Sequence, residues 1–121
     1  MRHSILSLAL CSGLAAAPAL AQSDGQMAFN NSCRTCHTMK EGDNRLGPNL
    51  AGIIGRKAGS LPDYNYSSSM KQSGITWDEA NLDQFIANPD QVVSGNTMKP
   101  FGGVTDPAQR KAIVDFLKSG G

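Results

Sequence analysis

Residues that bind metal ions or carry thiol chemistry are scarce in this chain of 121 residues. It contains three cysteines and two histidines, and His3 and Cys11 lie in an N-terminal segment that we expect to be removed. The remaining Cys33, Cys36 and His37 are too few for a zinc site, which needs about four ligands. A thioredoxin-type dithiol is the alternative left for the cysteines, but the sequence lacks the strand-helix-strand pattern that usually accompanies it.

Long apolar runs are absent as well. The apolar segment from Ile5 to Ala17 is too short for a membrane anchor and has no basic flank after it. With Arg2 before it and the small-x-small sequence Ala19-Leu20-Ala21 after it, the segment has the pattern of a cleavable signal peptide over residues 1–21. We therefore expect export to the periplasm, no membrane anchor and a mature domain over residues 22–121.

Neither sign of charge is in excess once the leader is removed. Loss of Arg2 reduces the eleven basic side chains to ten, which equals the number of acidic ones. A neutral domain lacks the basic surface that nucleic-acid binding requires, so no nucleic-acid partner is expected. Residues 22–121 also make only one small domain, which buries a modest share of its surface unaided.

The most informative segment that is present is Cys33-Arg34-Thr35-Cys36-His37. Two thiols three positions apart, followed directly by an imidazole, are typical of covalent haem attachment. Each sulfur can form a thioether with one haem vinyl group, and His37 is then held close enough to the iron to be its proximal ligand. Such a match is expected by chance roughly once per thousand shuffles of this composition. We predict one covalent haem c, which also supplies the missing core.

Capping signals and hydrophobic periodicity predict short helices and no strands. Leu82, Phe85 and Ile86 form the apolar face of the third helix, and Ile113, Val114, Phe116 and Leu117 are expected to be buried by the last one. The segments 41–62 and 90–105 are expected to be loops. The helices are predicted over Ser23 to Ser32, within Tyr66 to Ser73, from a capping box of Thr76 and Glu79 to Asn88, and from Asp106-Pro107 to Gly120.

Further motifs stand in order along the chain: Gly47-Pro48-Asn49-Leu50, Gly55-Arg56-Lys57, Tyr64-Asn65-Tyr66, Gly74-Ile75-Thr76-Trp77, Asn88-Pro89, and Met98 with Phe101. Together with the haem motif they resemble the class I c-type cytochromes, most closely the bacterial exported relatives of mitochondrial cytochrome c. The resemblance spans nearly the whole mature chain. It implies an all-α fold in which helices and long loops pack around one covalently bound haem.

Met98 is expected to be the second axial ligand of the haem iron. Met27 precedes the haem motif on its own helix, Met39 is too near His37 to reach the opposite face, and Met70 lies in a short helix. Met98 lies in a flexible loop and matches the family ligand, whereas an isolated methionine is otherwise usually a core residue. A thioether ligand favours ferrous iron and raises the reduction potential into the range of respiratory carriers.

The resemblance also implies roles for four residues around the haem. Pro48 matches a proline whose carbonyl accepts the other ring N–H of the ligand, which orients the imidazole of His37. Arg56, Tyr66 and Trp77 match positions that hydrogen-bond the haem propionates or lie beside them, because a partly buried carboxylate needs donors.

Two positions depart from the mitochondrial pattern. Phe85 takes the place of a tyrosine whose hydroxyl reaches the methionine ligand, and Met70 takes the place of an asparagine that helps to hold an internal water. Both changes remove polar groups from the surroundings of the haem. The reduction potential should therefore differ from that of the mitochondrial protein.

The function implied is a diffusible one-electron carrier, not an enzyme, in a respiratory or photosynthetic chain. The expected partners are membrane or periplasmic redox proteins such as a cytochrome oxidase, a quinol-cytochrome c reductase, a reaction centre or a dehydrogenase, and we expect a monomer. Arg34, Lys99 and Arg45 are candidates for a small positive rim near the haem edge. One alternative is a haem subunit or specific electron acceptor of a periplasmic dehydrogenase. A haem peroxidase or gas sensor is disfavoured, since it needs an open sixth position and a distal acid-base group.

Overall fold

The structure, a computed structural model, describes residues 9, 10, 12, 13 and 23–121. Most of the predicted leader, including its cleavage site, lies outside the described residues, so the division at residues 21 and 22 stays a prediction. Over the described part the chain forms five helices and no strand: α1 (Asp24–Ser32), α2 (Ser68–Lys71), α3 (Glu79–Ala87), α4 (Pro89–Val92) and α5 (Pro107–Ser119). None of these helices is long and apolar enough to cross a membrane.

The ends of α1 and α5 follow the predicted capping signals. The hydroxyl of Ser23 accepts a hydrogen bond from the backbone N–H of Gln26 at 3.0 Å, which satisfies a donor that the first turn leaves free. Asp106 caps α5 in the same way, and Pro107 occupies the first turn, where its missing N–H costs nothing. The helix ends at Gly120, whose φ of 86° suits a glycine.

The predicted start of α3 was wrong by two residues. The capping box is formed by Asp78 and Asn81, each side chain accepting a hydrogen bond from the other residue's backbone N–H. Thr76 instead pairs with Lys57 in an isolated antiparallel bridge, and its carbonyl accepts from the amide of Asn81 at 2.9 Å. The chain therefore stays extended beyond Thr76, so that Glu79 becomes the first helical residue.

Two further predictions need correction. The segment 90–105 is not all loop, because α4 occupies Pro89–Val92; proline is favoured at the first helical position, where its fixed φ suits the helix. The helix expected within Tyr66 to Ser73 is a single turn, Ser68–Lys71, which begins where the hydroxyl of Ser67 accepts from the N–H of Met70. The irregular path of residues 41–62 is as predicted.

The first and last helices pack closely against each other. A Cβ on Gly25 would lie 2.5 Å from the carbonyl oxygen of Ala112 and 2.9 Å from the Cβ of Phe116, so the contact requires glycine in α1. One turn further, the rings of Phe29 and Phe116 lie with centroids 5.1 Å apart. Phe29 is buried, whereas Phe116, expected to be buried, is half-buried and borders a surface groove.

The middle helix completes the frame of the core. Leu82, Phe85 and Ile86 of α3 are buried as predicted, as are Ile113, Val114 and Leu117 of α5. Arg110 of α5 pairs with Asp83 of α3 at 2.9 Å and donates to the carbonyls of Val104 and Thr105. The helices and the two long loops together surround an apolar cavity that contains the predicted site residues.

Candidate haem site

The predicted attachment motif follows directly on the end of α1. Cys33 caps that helix, its N–H donating to the carbonyl of Phe29 at 2.7 Å. The N–H groups of Cys36 and His37 then both donate to the carbonyl of Cys33, at 3.1 and 3.0 Å. This tight turn brings two thiols and one imidazole to the same wall of the cavity. No group of three His, Cys, Asp or Glu side chains in the described part of the chain is arranged to hold a free metal ion.

His37 has one ring nitrogen in use and one available. The side chain is 6% exposed, and its Nδ1 lies 2.7 Å from the carbonyl oxygen of Pro48. Because a carbonyl only accepts, Nδ1 carries the proton, which leaves the lone pair on Nε2. Burial lowers the pKa of His37, although the bond to Pro48 opposes the shift. The neutral imidazole is the form that binds iron.

Gly47 determines how closely the chain covers the imidazole ring. A Cβ at this position would lie 2.3 Å from Cε1 and 2.7 Å from Nδ1 of His37. The N–H of Gly47 donates to the carbonyl of Cys36 at 2.8 Å, so the two segments are joined directly through their backbones. The imidazole ring of His37 therefore packs so closely on the backbone at residue 47 that only glycine leaves room for it.

The two thiols are half-buried and free. Burial, with a smaller contribution from Cys36, raises the pKa of Cys33 to about 11. A thiol with so high a pKa is a poor reactant in disulfide exchange, where the thiolate is the attacking species. In this respect Cys33 differs from the attacking thiol of a redox-active dithiol.

The cavity has a volume of about 390 Å³ and a mostly apolar lining. This lies within the range of roughly 300–1,000 Å³ that is common for small-molecule and cofactor sites. Cys33, Cys36, His37 and Met98 all line it. A flat, largely apolar cofactor with two thioether attachments and a metal that accepts imidazole and thioether matches this set of donors, so the residues fit a haem.

Met98 reaches the cavity from the loop that follows α4. The side chain is half-buried, and residues 96–101 of this loop contribute to the lining. Met70 of α2 lines the same cavity, whereas Met27 is half exposed and Met39 lines a separate groove. The structure thus brings two methionines to the cavity, of which only Met98 lies in a loop.

Arg56 and Trp77 are placed side by side by the short bridge between their segments. The N–H of Trp77 donates to the carbonyl of Arg56 at 2.9 Å, and both side chains line the cavity. The guanidinium donates to the carbonyls of Asn49, at 2.7 Å, and Ala51. Burial lowers the pKa of Arg56, with the neighbouring Tyr66 opposing the shift. This guanidinium has five N–H donors, so it can hold the loop and also donate into the cavity.

Aromatic side chains complete the lining. Tyr66 packs edge-on against Tyr64, with ring centroids 4.9 Å apart, and Tyr64 donates to the carbonyl of Leu46 at 2.7 Å. Trp77 is buried against Phe85, with centroids 5.0 Å apart. Tyr66, Trp77 and Phe85 all border the cavity. Phe85 offers an apolar edge there, as does Met70, which is the consequence expected of the two departures noted in the sequence.

Comparison with known proteins identifies the family of this chain. The family model of cytochrome c matches residues 22–121. The chain is 43% identical over 97 residues to cytochrome c2 iso-1 of Magnetospirillum fulvum, covering 79% of this chain and 97% of that protein. It is 39% identical over 95 residues to cytochrome c of Arabidopsis thaliana, covering 78% of this chain and 84% of that protein.

A solved structure gives the same result for the fold. The cytochrome cH of Methylobacterium extorquens superposes with a TM-score of 0.73 at 39% identity, covering 79% of this chain and 95% of that one. The fold is that of a class I cytochrome c. The chain belongs to the cytochrome c family, whose members bind one covalent haem c and carry electrons without transforming a substrate.

Three further residues contribute to the site, and the sequence did not indicate a functional role for any of them. Gly47 and Asn49 were noted only as parts of a family motif, and Asn96 only as part of a loop, yet both asparagines are buried, at 3% and 5% exposed. Asn49 accepts from Arg56 and donates to Asn44. Asparagine is usually exposed, so its type gave no signal; only the cluster of Asn, Gly and Pro in these loops marked them as irregular.

Proposed function

We propose that this protein is a diffusible periplasmic one-electron carrier whose haem is attached to Cys33 and Cys36 and whose iron is bound by His37 and Met98. The observation that carries the proposal is the hydrogen bond from Nδ1 of His37 to Pro48. It leaves Nε2 as the free donor atom in a cavity that two thiols and a thioether also line. Bound haem supplies a one-electron couple.

The protein's own residues determine how this couple behaves. Pro48 and Gly47 fix the orientation of the imidazole, and a carbonyl acceptor at Nδ1 increases the basicity of Nε2. Met98 supplies a soft, neutral ligand that favours the reduced state. Because His37 and Met98 would hold the iron from one folded chain, a change of its charge would require little rearrangement of the protein. The buried aromatic and aliphatic lining excludes water, which also affects the potential.

Charge compensation for the haem propionates is assigned to Arg56, with Tyr66 and Trp77 beside it. Arg56 is the one cation among the residues that line the cavity on this side, and it is already oriented by the carbonyls of Asn49 and Ala51. A donor held in place in advance loses little rotamer entropy when it pairs with a carboxylate. Tyr66 has a hydroxyl and Trp77 an indole N–H to add.

The expected partners are redox proteins of an electron-transport chain, such as a cytochrome oxidase, a quinol-cytochrome c reductase, a photosynthetic reaction centre or a dehydrogenase. The neutral composition of the mature chain favours weak, short-lived encounters. A permanent subunit of a dehydrogenase would use the same cavity, and co-purification with a larger enzyme would distinguish it.

Visible spectra of the purified holoprotein test the proposal. A weak band near the red end of the ferric spectrum, lost on reduction, reports a bond between sulfur and iron. We expect this band in the wild type, together with haem that acidified acetone does not extract. A ferric protein that lacks the band and binds carbon monoxide on reduction would have an open sixth position, as a peroxidase or gas sensor does.

A further inference from the structure

Asn96 is one of three polar or charged residues that are buried among those described, the others being His37 and Asn49. It is 5% exposed and borders the same cavity as Met98. Burying an amide costs free energy unless its polar atoms are hydrogen-bonded. Its bonding partners therefore show which part of the chain the residue is fixed to.

Both ends of the Asn96 amide are in use. Its Nδ2 donates to Oδ1 of Asp90 and to the carbonyl of Val93, each at 2.9 Å. Its Oδ1 accepts from the backbone N–H of Met98 at 3.0 Å. Asp90 belongs to α4, and Val93 is the residue at which that helix ends. One buried side chain thus joins the backbone of Met98 to the preceding helix.

The residues on either side of Met98 form a turn in the same part of the loop. The N–H of Lys99 donates to the carbonyl of Thr97 at 2.8 Å, which places Met98 at the centre of a three-residue turn. The ammonium of Lys99 pairs with the Oδ1 of Asp90 that also accepts from Asn96. The side chains of Lys99 and Asp90 are 53% and 63% exposed, and exposed pairs contribute little. The buried amide is therefore expected to constrain the loop more strongly than this ion pair does.

We propose that Asn96 is the positioning residue for Met98: it holds the ligand's backbone against α4 and so keeps the loop closed over the cavity. The inference rests on the proposed ligation of the haem iron by Met98. The amide is needed because its oxygen accepts from Met98 while its nitrogen donates to Asp90. An aspartate would lose both donors and place a carboxylate against Asp90, and an alanine would lose all three bonds.

Loss of this side chain should show as easier opening of the loop. Opening of a local segment is governed by the free energy of its own contacts and precedes global unfolding. An external ligand such as imidazole binds ferric iron only when Met98 has left, so its apparent affinity measures the population of the open loop. We expect Asn96→Ala to increase that affinity about tenfold, the effect of losing hydrogen bonds that fix a buried group.

Asn81→Ala is the matched control. Asn81 likewise accepts from a backbone N–H, that of Asp78, and donates to a carbonyl, that of Thr76, but it does so at the cap of α3. Its removal should lower global stability without affecting the Met98 loop. The ferric holoproteins are titrated with imidazole while the red band is followed, and global unfolding is measured separately by circular dichroism.

The outcomes separate cleanly. An Asn96→Ala protein whose imidazole affinity stays within about twofold of the Asn81→Ala protein overturns the inference. If Asn96→Ala does not yield holoprotein, Asp90→Ala decides instead; we expect an increase of about threefold because Asp90 is one of three partners of the amide, and an unchanged affinity is contrary to the inference. A wild type without the red band refutes Met98 as ligand and therefore both proposals, whereas a wild type with the band and an indifferent Asn96→Ala refutes this one alone.

Discussion

The two walls of the cavity that contain His37 and Met98, the two proposed ligands, are built in different ways. The histidine wall, residues 33–37 with Gly47 and Pro48, is held by bonds between backbone groups and by a ring that fits against a glycine. The methionine wall, residues 95–101, depends in addition on side-chain hydrogen bonds, those made by the amide of Asn96. His37 is 6% exposed, whereas Met98 is only half-buried.

This difference indicates which of the two proposed ligands is more easily displaced. A ligand such as His37, which directly follows two attachment points in one pentapeptide, has little freedom once those points are fixed, because the chain that joins it to them is short. A ligand on a loop depends on contacts that open locally at lower free energy than the whole fold. We therefore expect changes at the histidine wall to affect assembly of the holoprotein and changes at the methionine wall to affect its potential and ligand exchange.

The largest effect should come from removing both attachment points. Cys33→Ala with Cys36→Ala is expected to abolish stable haem attachment, since no other cysteine is present after the predicted leader, and to leave the small core incomplete. Haem content after extraction with acidified acetone measures the result. Cys11→Ala is the control and should leave haem content unchanged. Haem that resists extraction in the double variant would refute covalent attachment at these positions.

Replacing Met98, the more easily displaced of the two proposed ligands, should have the next largest effect. Met98→Ala is expected to retain covalent haem but to lose the ferric red band, bind carbon monoxide when reduced, and lower the potential by more than about 0.1 V, within the roughly 0.8 V that axial ligands span. Met70→Ala tests the other methionine of the cavity and should keep the band. Loss of the band in the Met70 variant instead would move the ligand from the loop to α2.

A bulkier residue under the imidazole tests the rigid wall. Gly47→Ala places a Cβ 2.3 Å from Cε1 of His37, which forces the ring or the loop to move and strains the bond to Pro48. We expect the free energy of unfolding of the holoprotein to fall by about 1–3 kcal/mol, the usual cost of overpacking. Gly102→Ala is the control, because no atom lies within 4 Å of a Cβ there. Equal denaturant midpoints for the two variants would mean that the histidine wall adapts as readily as a loop.

The same contrast explains how far the sequence alone could predict the molecule. Local signals were read correctly: Ser23 caps α1, Asp106 caps α5, and the apolar face of α3 is buried. The start of α3 was missed because Thr76 pairs with Lys57, a residue distant in sequence. Capping signals act between residues close in sequence, whereas the pairing of Thr76 with Lys57 is a tertiary contact.

The residues of the candidate site also differ in how far the sequence predicts them. One pentapeptide contains both proposed attachment points and one proposed ligand, so the sequence alone predicts these roles for Cys33, Cys36 and His37. The contacts of Asn96 join residues 90, 93 and 98 through an amide that gives no signal of its own. Which asparagine of the loop is buried depends on how the loop folds back on α4. This is a property of the folded chain that the residue type does not show.

The smallest effect is expected from charge. Arg45, next to the histidine wall, pairs with Asp43, and Lys99 of the methionine wall pairs with Asp90. Of the three cations expected to form a positive rim, Arg34 is the one that joins no ion pair among those of the described residues. The rim is therefore weaker than the sequence suggested.

Stopped-flow oxidation of the reduced protein by a membrane cytochrome oxidase, over a range of ionic strength, measures this rim. With a Debye length of about 10 Å at 0.1 M salt, a single free cation acts only at short range. We expect the rate constant to fall by less than about tenfold across the range, whereas strong steering changes rates by up to roughly 10³. Arg34→Ala should flatten the dependence, and Lys111→Ala, on α5 and already paired with Asp115, should not. A fall of several decades that survives Arg34→Ala would show that partners dock on a charged face away from both ligand walls.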